Sequence, residues 1–220
     1  SSSYQVDLPN GGTAYIIGNL IQQGPRNDNP TFVAFAKGRY PVVVRYFGDD
    51  VFLPSRAVSE AFRSLRTNIT FSSAEKAPKV FVVTSALPQD GKTTTAANLA
   101  IIFAQQGLRV LLMDGDMRRG TLHKLFKLDR TPGLSNLLVE HCEIERAVHW
   151  VSLDQGTELD ILPGGTVPPN PAELLSSSRA GWLMERFEER YDAIVIDTPP
   201  LTLVTDAAVL AAHADTVLFV

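Results

Sequence analysis

Cysteine is almost missing from this chain: Cys142 is the single one in 220 residues. No disulfide can form within the chain, and a reducing compartment suits it. Cys142 itself reads as a small, half-buried residue. Long apolar runs are also lacking, and none reaches the ~20 residues that span a bilayer. The first ten residues have neither the basic start nor the apolar stretch of a signal peptide. Charge of one sign is not in excess either. The formal net charge is -4, so no global field points to nucleic acid or to an anionic membrane. Internal repeats and low-complexity tracts are absent. What remains is a chain with 45% apolar residues, enough for a sizeable core, and a length that fits one main domain with an appendage.

Residues 1–55 differ from the rest. Gly11-Gly12, Gly24-Pro25 and the polar run over 26–30 are turn and loop chemistry. The stretch 31–47 has the pattern of a hairpin turning at Lys37-Gly38-Arg39, although Pro41 argues against a central strand. The region is expected to be a linker or arm. From Ser59, a suitable N-cap, Phe62, Leu65 and Ile69 recur at helical spacing. Apolar runs then alternate with helical segments. Strands are expected at 80–83, 110–113, 159–162, 193–196 and 217–220. Helices are expected at 93–106, where Gly107 terminates the segment, at 179–191 and at 206–212. Continuous apolar strands separated by helices predict an α/β fold: a mostly parallel sheet with helices on both faces. Ligands of such sheets sit outside the carboxyl ends of the strands. The final run over 216–220 reads as a buried strand, so the domain over 56–220 is expected to be truncated at its C-terminus.

The segment from Thr84 to Thr93 joins the first of these strands to a helix. Such a loop can wrap its backbone N–H groups around a phosphate at a positive helix end. Gly91 stands where a side chain would obstruct the phosphate oxygens. Lys92 is placed for the β- and γ-phosphates, and Thr93 for magnesium. Gln89, Asp90, Gly91, Lys92, Thr93 and Thr94 are the expected nucleotide-binding residues. Ala86 stands where the G-x-x-x-x-G-K-[ST] pattern has its first glycine. Asp114 and Asp116 follow the second strand and Asp197 the fourth, all at the same sheet edge. Magnesium on nucleotide phosphates needs carboxylates nearby, directly or through water. A single Asp after a strand is commonly a helix cap; three at one edge beside Gly91-Lys92-Thr93 are not accounted for in that way.

These residues resemble a known family. Asp114-Gly115-Asp116 with Arg118-Arg119, the segment Asp197-Thr198-Pro199-Pro200 and the stretch from Pro168 to Leu175 are similar to the bacterial tyrosine kinases, the cytoplasmic kinase domains of exopolysaccharide and capsule export systems. The helix from Glu60 to Ile69 resembles their oligomerisation motif. The resemblance covers about residues 55–220. It implies a P-loop NTPase fold, ATP and magnesium as cofactors, autophosphorylation on tyrosine, and a role in polysaccharide production. It implies Lys92 as the phosphate-loop lysine, Thr93 as the hydroxyl beside magnesium, and Asp114, Asp116 and Asp197 as the motif aspartates. Implied partners are further copies of itself in a ring with phosphorylation in trans, protein tyrosine substrates, and a membrane-spanning polysaccharide co-polymerase segment or subunit. The implied location is cytoplasmic, on the inner face of the membrane. Gln89-Asp90 and Gly120, where a proline is common, depart from the family's pattern.

The expected catalytic residues are Lys92, Asp114 and Asp116. Thr93, Asp114 and Asp197 would hold magnesium or its waters, and Asp116 would accept the tyrosine proton. Asp114 and Asp116 can exchange roles, because alternate residues at a strand end point differently. Arg118 and Arg119 would neutralise the transferring phosphoryl or bind an acidic tyrosine tail; a solvated basic helix start explains them equally well. Glu60, Arg63 and Arg66 share a broad helix face and would meet a neighbouring subunit; an intrahelical pair of Glu60 with Arg63 is the plainer alternative. Two other functions fit the fold. One is a septum-site or partitioning ATPase switch, which would carry a signature lysine early in the loop, whereas 85–90 has none. The other is a weakly active nucleotide-binding scaffold.

Overall fold

The computed structural model describes residues 77–153 and 156–220 in full, the helix over 56–71 with side chains at 62–69, and four strands within residues 1–45. These strands are β1 (Ser3–Asp7), β2 (Thr13–Ile17), β3 (Thr31–Ala36) and β4 (Pro41–Arg45). Then come α1 (Arg56–Phe71), β5 (Val80–Thr84), α2 (Lys92–Ala104), β6 (Val110–Asp114) and the short helices α3 (Leu122–Leu125), α4 (Leu134–Leu138) and α5 (Ile144–Ala147). The chain continues through β7 (His149–Ser152), β8 (Glu158–Leu162), α6 (Pro171–Leu175), α7 (Ser178–Arg190), β9 (Ala193–Asp197), α8 (Asp206–Ala211) and β10 (Thr216–Phe219).

The main sheet has eight strands in the order β4-β3-β10-β5-β9-β6-β8-β7. Its five central strands, β10 to β8, run parallel. β7 closes one edge and the β3–β4 hairpin the other, both antiparallel. β1 and β2 pair with each other apart from this sheet. Pro41 opens β4, the outermost strand, and both the edge and the first position of a strand are places that tolerate proline.

The three innermost strands, β5, β9 and β6, are apolar up to their last residue because both faces are covered. Phe81 and Val83 of β5 point into a core shared with Phe62, Leu65 and Ile69 of α1 and Leu99, Ile102 and Phe103 of α2. Val80 and Val82, one residue out of phase, enter a second core with Leu137 of α4, Leu183 and Phe187 of α7 and Leu210 of α8. Helix α2 is buried on nearly all sides, ten of its 13 residues being inaccessible, so it lacks an amphipathic stripe. It unwinds at Gly107, whose φ of 77° suits glycine. Helix α7 has the opposite character: Ala180, Leu183, Met184 and Phe187 face inward at helical spacing, and the Ser177 hydroxyl caps its start by accepting from the Ala180 amide.

Two expectations need correction. Helix α1 begins at Arg56, so Ser59 lies within its first turn and is not the N-cap. The edge strand β7 and the helices α3 to α6 were not foreseen, each being too short to show a period. The expected hairpin over 31–47 is present as β3 and β4, joined to the sheet through β10; its turn, the glycine-rich turns and the run over 26–30 lie outside the described residues.

The phosphate loop leaves β5, which is separated from β3 by β10. Deleting residues 1–50 should therefore leave nucleotide affinity within a few-fold while exposing the β10 edge and lowering solubility. Titration with a fluorescent nucleotide measures this; a large loss of affinity would mean that the arm packs on the site.

Candidate nucleotide and phosphoryl-transfer site

Three adjacent strands bring the site together. β5 ends at the phosphate loop, β9 beside it ends at Asp197, and β6 beside β9 ends at Asp114. Asp114 and Asp197 are register partners across β6 and β9, so two carboxylates lie one strand spacing apart, ~4.8 Å in a parallel ladder. Both are buried.

The loop turns tightly, with Gln89 at φ 66° and Gly91 at φ 90°. The Gly91 carbonyl accepts from both the amide and the hydroxyl of Thr95, starting α2. The first amides of α2 have no intrahelical acceptor and no side-chain cap, which makes this helix start a natural anion site. Asp90 accepts the Leu87 amide at 2.9 Å and fixes the loop's shape. Lys92, a residue only 8% exposed, donates from its ammonium to Ser85 Oγ at 2.8 Å and to the Leu87 carbonyl at 3.0 Å. Burial lowers its pKa, opposed by the charges of Asp197, Asp90 and Asp116. Thr94, partly exposed, follows in the first turn and accepts at its carbonyl from Asn98.

Thr93 Oγ1 donates to Asp197 Oδ2 at 2.6 Å, tying the start of α2 to the end of β9. The other oxygen, Asp197 Oδ1, is buried with no hydrogen-bond partner. Asp114 uses both oxygens: Oδ1 accepts from the Asp116 amide and Oδ2 from the Leu122 amide, each at 3.2 Å. Desolvation, and then the neighbouring Asp197 charge, push the Asp114 carboxyl well above the usual range. Asp197 is raised as well, mainly by burial, against the opposing Thr93 hydrogen bond and Lys92 charge.

Asp116 is different. It is half-exposed, and its Oδ1 accepts the amides of Arg118 and Arg119 at 3.1 and 2.8 Å. Its charge still acts on Lys92, Asp114 and Asp197, so it belongs to the same centre from the solvent side. Arg119 is exposed. Arg118 is paired with Asp206 at the start of α8, Nε to Oδ2 at 3.1 Å. Sequence reasoning passed over Asp206, which looked like an ordinary helix start, and Ser85, the acceptor of Lys92.

Magnesium fits these residues. An unpartnered carboxylate oxygen, a hydroxyl beside it and a second buried carboxylate, raised by desolvation and then by like charge, are donors that a divalent cation would satisfy. Among the described residues, no group of three or more His, Cys, Asp or Glu is close enough to hold a metal alone.

A protein-family model described as an AAA domain matches residues 89–220. Tyrosine-protein kinase YwqD of Bacillus subtilis (strain 168) is 46% identical over 165 residues, which cover 74% of this chain and 67% of that protein. This chain belongs to the bacterial tyrosine-protein kinases. Tyrosine-protein kinase wzc of Salmonella typhimurium is 42% identical over 167 residues, but the match spans 23% of that longer protein. The solved kinase domain of Escherichia coli tyrosine kinase ETK superposes with a TM-score of 0.69 at 36% identity, covering 75% of this chain and 64% of that one. The septum site-determining protein MinD of Pyrococcus horikoshii, solved with Mg-ADP, is more distant: 25% identity and a TM-score of 0.51 over 62% of this chain and 54% of that one. The fold is that of the P-loop NTPases.

Of the expected oligomerisation residues in the kinase, Arg63 is exposed and Arg66 partly buried, while Phe62, Leu65 and Ile69 face the core. The Glu60 side chain lies outside the described residues.

Gly120 has a spatial reason. A Cβ there would collide with both oxygens of the Asp114 carboxylate. Gly120→Ala should therefore cost about 1–3 kcal/mol by overpacking, read from urea unfolding midpoints. An unchanged midpoint would mean that the carboxyl moves aside freely.

Proposed function

We propose that this chain is an ATP- and magnesium-dependent protein tyrosine kinase that phosphorylates itself and acts in exopolysaccharide or capsule production. Family membership supports the reaction. The observation that carries the site is the Thr93–Asp197 hydrogen bond beside Lys92, which joins the phosphate loop to the carboxylate at the end of the neighbouring strand β9.

In this reading the amides of Gln89, Asp90, Gly91, Lys92, Thr93 and Thr94 surround the phosphates. Lys92 turns from Ser85 and Leu87 toward the β- and γ-phosphate oxygens. Thr93, Asp114 and Asp197 hold magnesium directly or through its waters; the bound ion supplies charge neutralisation for the transferring phosphoryl group. Asp116 accepts the tyrosine proton. Its exposure supports this choice over Asp114, whose oxygens are buried and both occupied by amides. Transfer of this kind needs positioning and fixed charge rather than a covalent protein intermediate.

The proposed setting is the inner face of the cell membrane, through a membrane-spanning co-polymerase segment or subunit. Among the described residues, no helix is long and apolar enough to cross a membrane. Subunits would meet head-to-tail through the α1 face carrying Glu60, Arg63 and Arg66, and such contacts close into rings. A ring sets each site beside the next subunit and makes phosphorylation occur in trans.

Lys92→Met should reduce phosphotyrosine formation at least ~100-fold, because fixed charge at the phosphates is lost, while thermal unfolding remains cooperative. Near-normal phosphorylation by the folded variant would reject the assignment. Assembly is tested separately. Reversing Glu60, Arg63 and Arg66 together should give monomers that bind ATP and autophosphorylate poorly, with contacts of the parent weakening as salt rises. If light scattering shows the same oligomer distribution for variant and parent, these charges are only a solvated surface.

A further inference from the structure

The Arg118–Asp206 pair is not explained by the roles above. Asp206 is completely buried, whereas the Arg118 side chain is 40% exposed. A buried carboxylate carries a desolvation cost that an apolar residue would avoid, so the pair is a poor way to stabilise the start of α8. Its effect is geometric. Arg118 Nε donates to Asp206 Oδ2 at 3.1 Å, and Nη2 lies 3.5 Å from Oδ1. A guanidinium has five N–H donors, and this side-on pairing leaves the Nη1 end directed away from Asp206.

The arginine also belongs to the catalytic turn. Its amide donates to Asp116 Oδ1, and α8 sets Leu210 against Gly115 of the same turn. An anchored, half-exposed guanidinium thus extends from the same turn as the half-exposed candidate proton acceptor, while the carboxylates of Asp114 and Asp197 are buried. A tyrosine approaching Asp116 from solvent brings its sequence neighbours past this group.

We propose that Arg118, positioned by Asp206, receives an acidic side chain flanking the acceptor tyrosine, so that the enzyme selects tyrosines in acidic sequence. This deepens the kinase reading and rests on it. Arg118 is the contact residue, and Asp206 is a positioning residue acting through it.

The test uses two peptides with one tyrosine each, identical except for Glu or Gln beside it, and their Tyr→Phe forms for binding. Anisotropy measures binding of the Phe peptides to the intact chain with a non-hydrolysable ATP analogue and magnesium; kcat/KM is measured for the Tyr peptides. The chain should favour the Glu form by about three- to tenfold, the range of an exposed to a charge-assisted ion pair. Arg118→Ala should bring the ratio to one. Arg118→Lys, which keeps the charge and loses the fork, should give an intermediate ratio. Asp206→Asn should lower the ratio in a protein whose melting remains cooperative; if it unfolds, the two Arg118 variants decide. A ratio retained in Arg118→Ala overturns the proposal, as does a loss seen only as a raised KM for ATP. Binding preference without any transfer would reject the kinase reading alone, and transfer without preference would reject this inference alone.

Discussion

Two like-charged carboxylates lie buried beside each other at the ends of adjacent parallel strands, and much of the site is arranged around that conflict. Asp114 and Asp197 are register partners, and burial raises both carboxyls above their ordinary range. Two neighbouring backbone amides occupy the Asp114 oxygens, and the Thr93 hydroxyl occupies one of Asp197. Gly120 leaves the space the Asp114 carboxyl fills. The remaining bare oxygen, Asp197 Oδ1, is where compensation is incomplete. Such a centre is suited to a cation carried in with phosphates. The raised carboxyls and the fitness for magnesium have one cause, the burial of acidic groups side by side.

The sheet makes this concentration of charge possible. Parallel strands place all their carboxyl ends on one edge, and the order β5-β9-β6 sets the phosphate loop and two aspartates side by side. Cores on both faces hold those strand ends in register: α1 and α2 cover one side, α4, α7 and α8 the other. Each strand alternates its side chains between the two cores, so a one-residue slip of β6 would exchange Leu112 for Leu111 or Met113 on either face and carry Asp114 out of line with Asp197. Packing thus controls the position of the chemistry at its end.

The sequence made the long, strongly patterned parts legible. The strands at 80–84, 110–114 and 193–197 are uninterrupted apolar runs, and each ends in a polar residue that announces the sheet edge. Helix α7 was visible because its apolar positions recur at helical spacing. What was illegible has equally physical reasons. β7 has four residues, too few for a period of two to stand out, and α3 to α6 have one turn or slightly more. The start of α1 was misread because a serine suitable as a cap also occurs inside helices. Within the site, the motif aspartates could be named but not separated. Their difference lies in depth, Asp114 buried and Asp116 half-exposed, and depth is set by how the turn after β6 folds against Leu122 and α8. Asp206 escaped notice because its partner is 88 residues away in the chain.

Depth also bears on why one P-loop scaffold serves both kinases and ATPase switches. Hydrolysis requires a water, which fits a small closed space. Transfer to tyrosine requires an open approach for a large side chain attached to another polypeptide. Here Lys92, Asp114 and Asp197 are buried, whereas Asp116 is half-exposed and Arg118 and Arg119 are exposed. The loop stretch 85–90 contains no lysine. The gradient from buried carboxylates to a half-exposed one, bordered by an anchored arginine, favours an incoming protein chain over a trapped water molecule. Residues at the rim can then vary one by one without disturbing the packing of the buried pair.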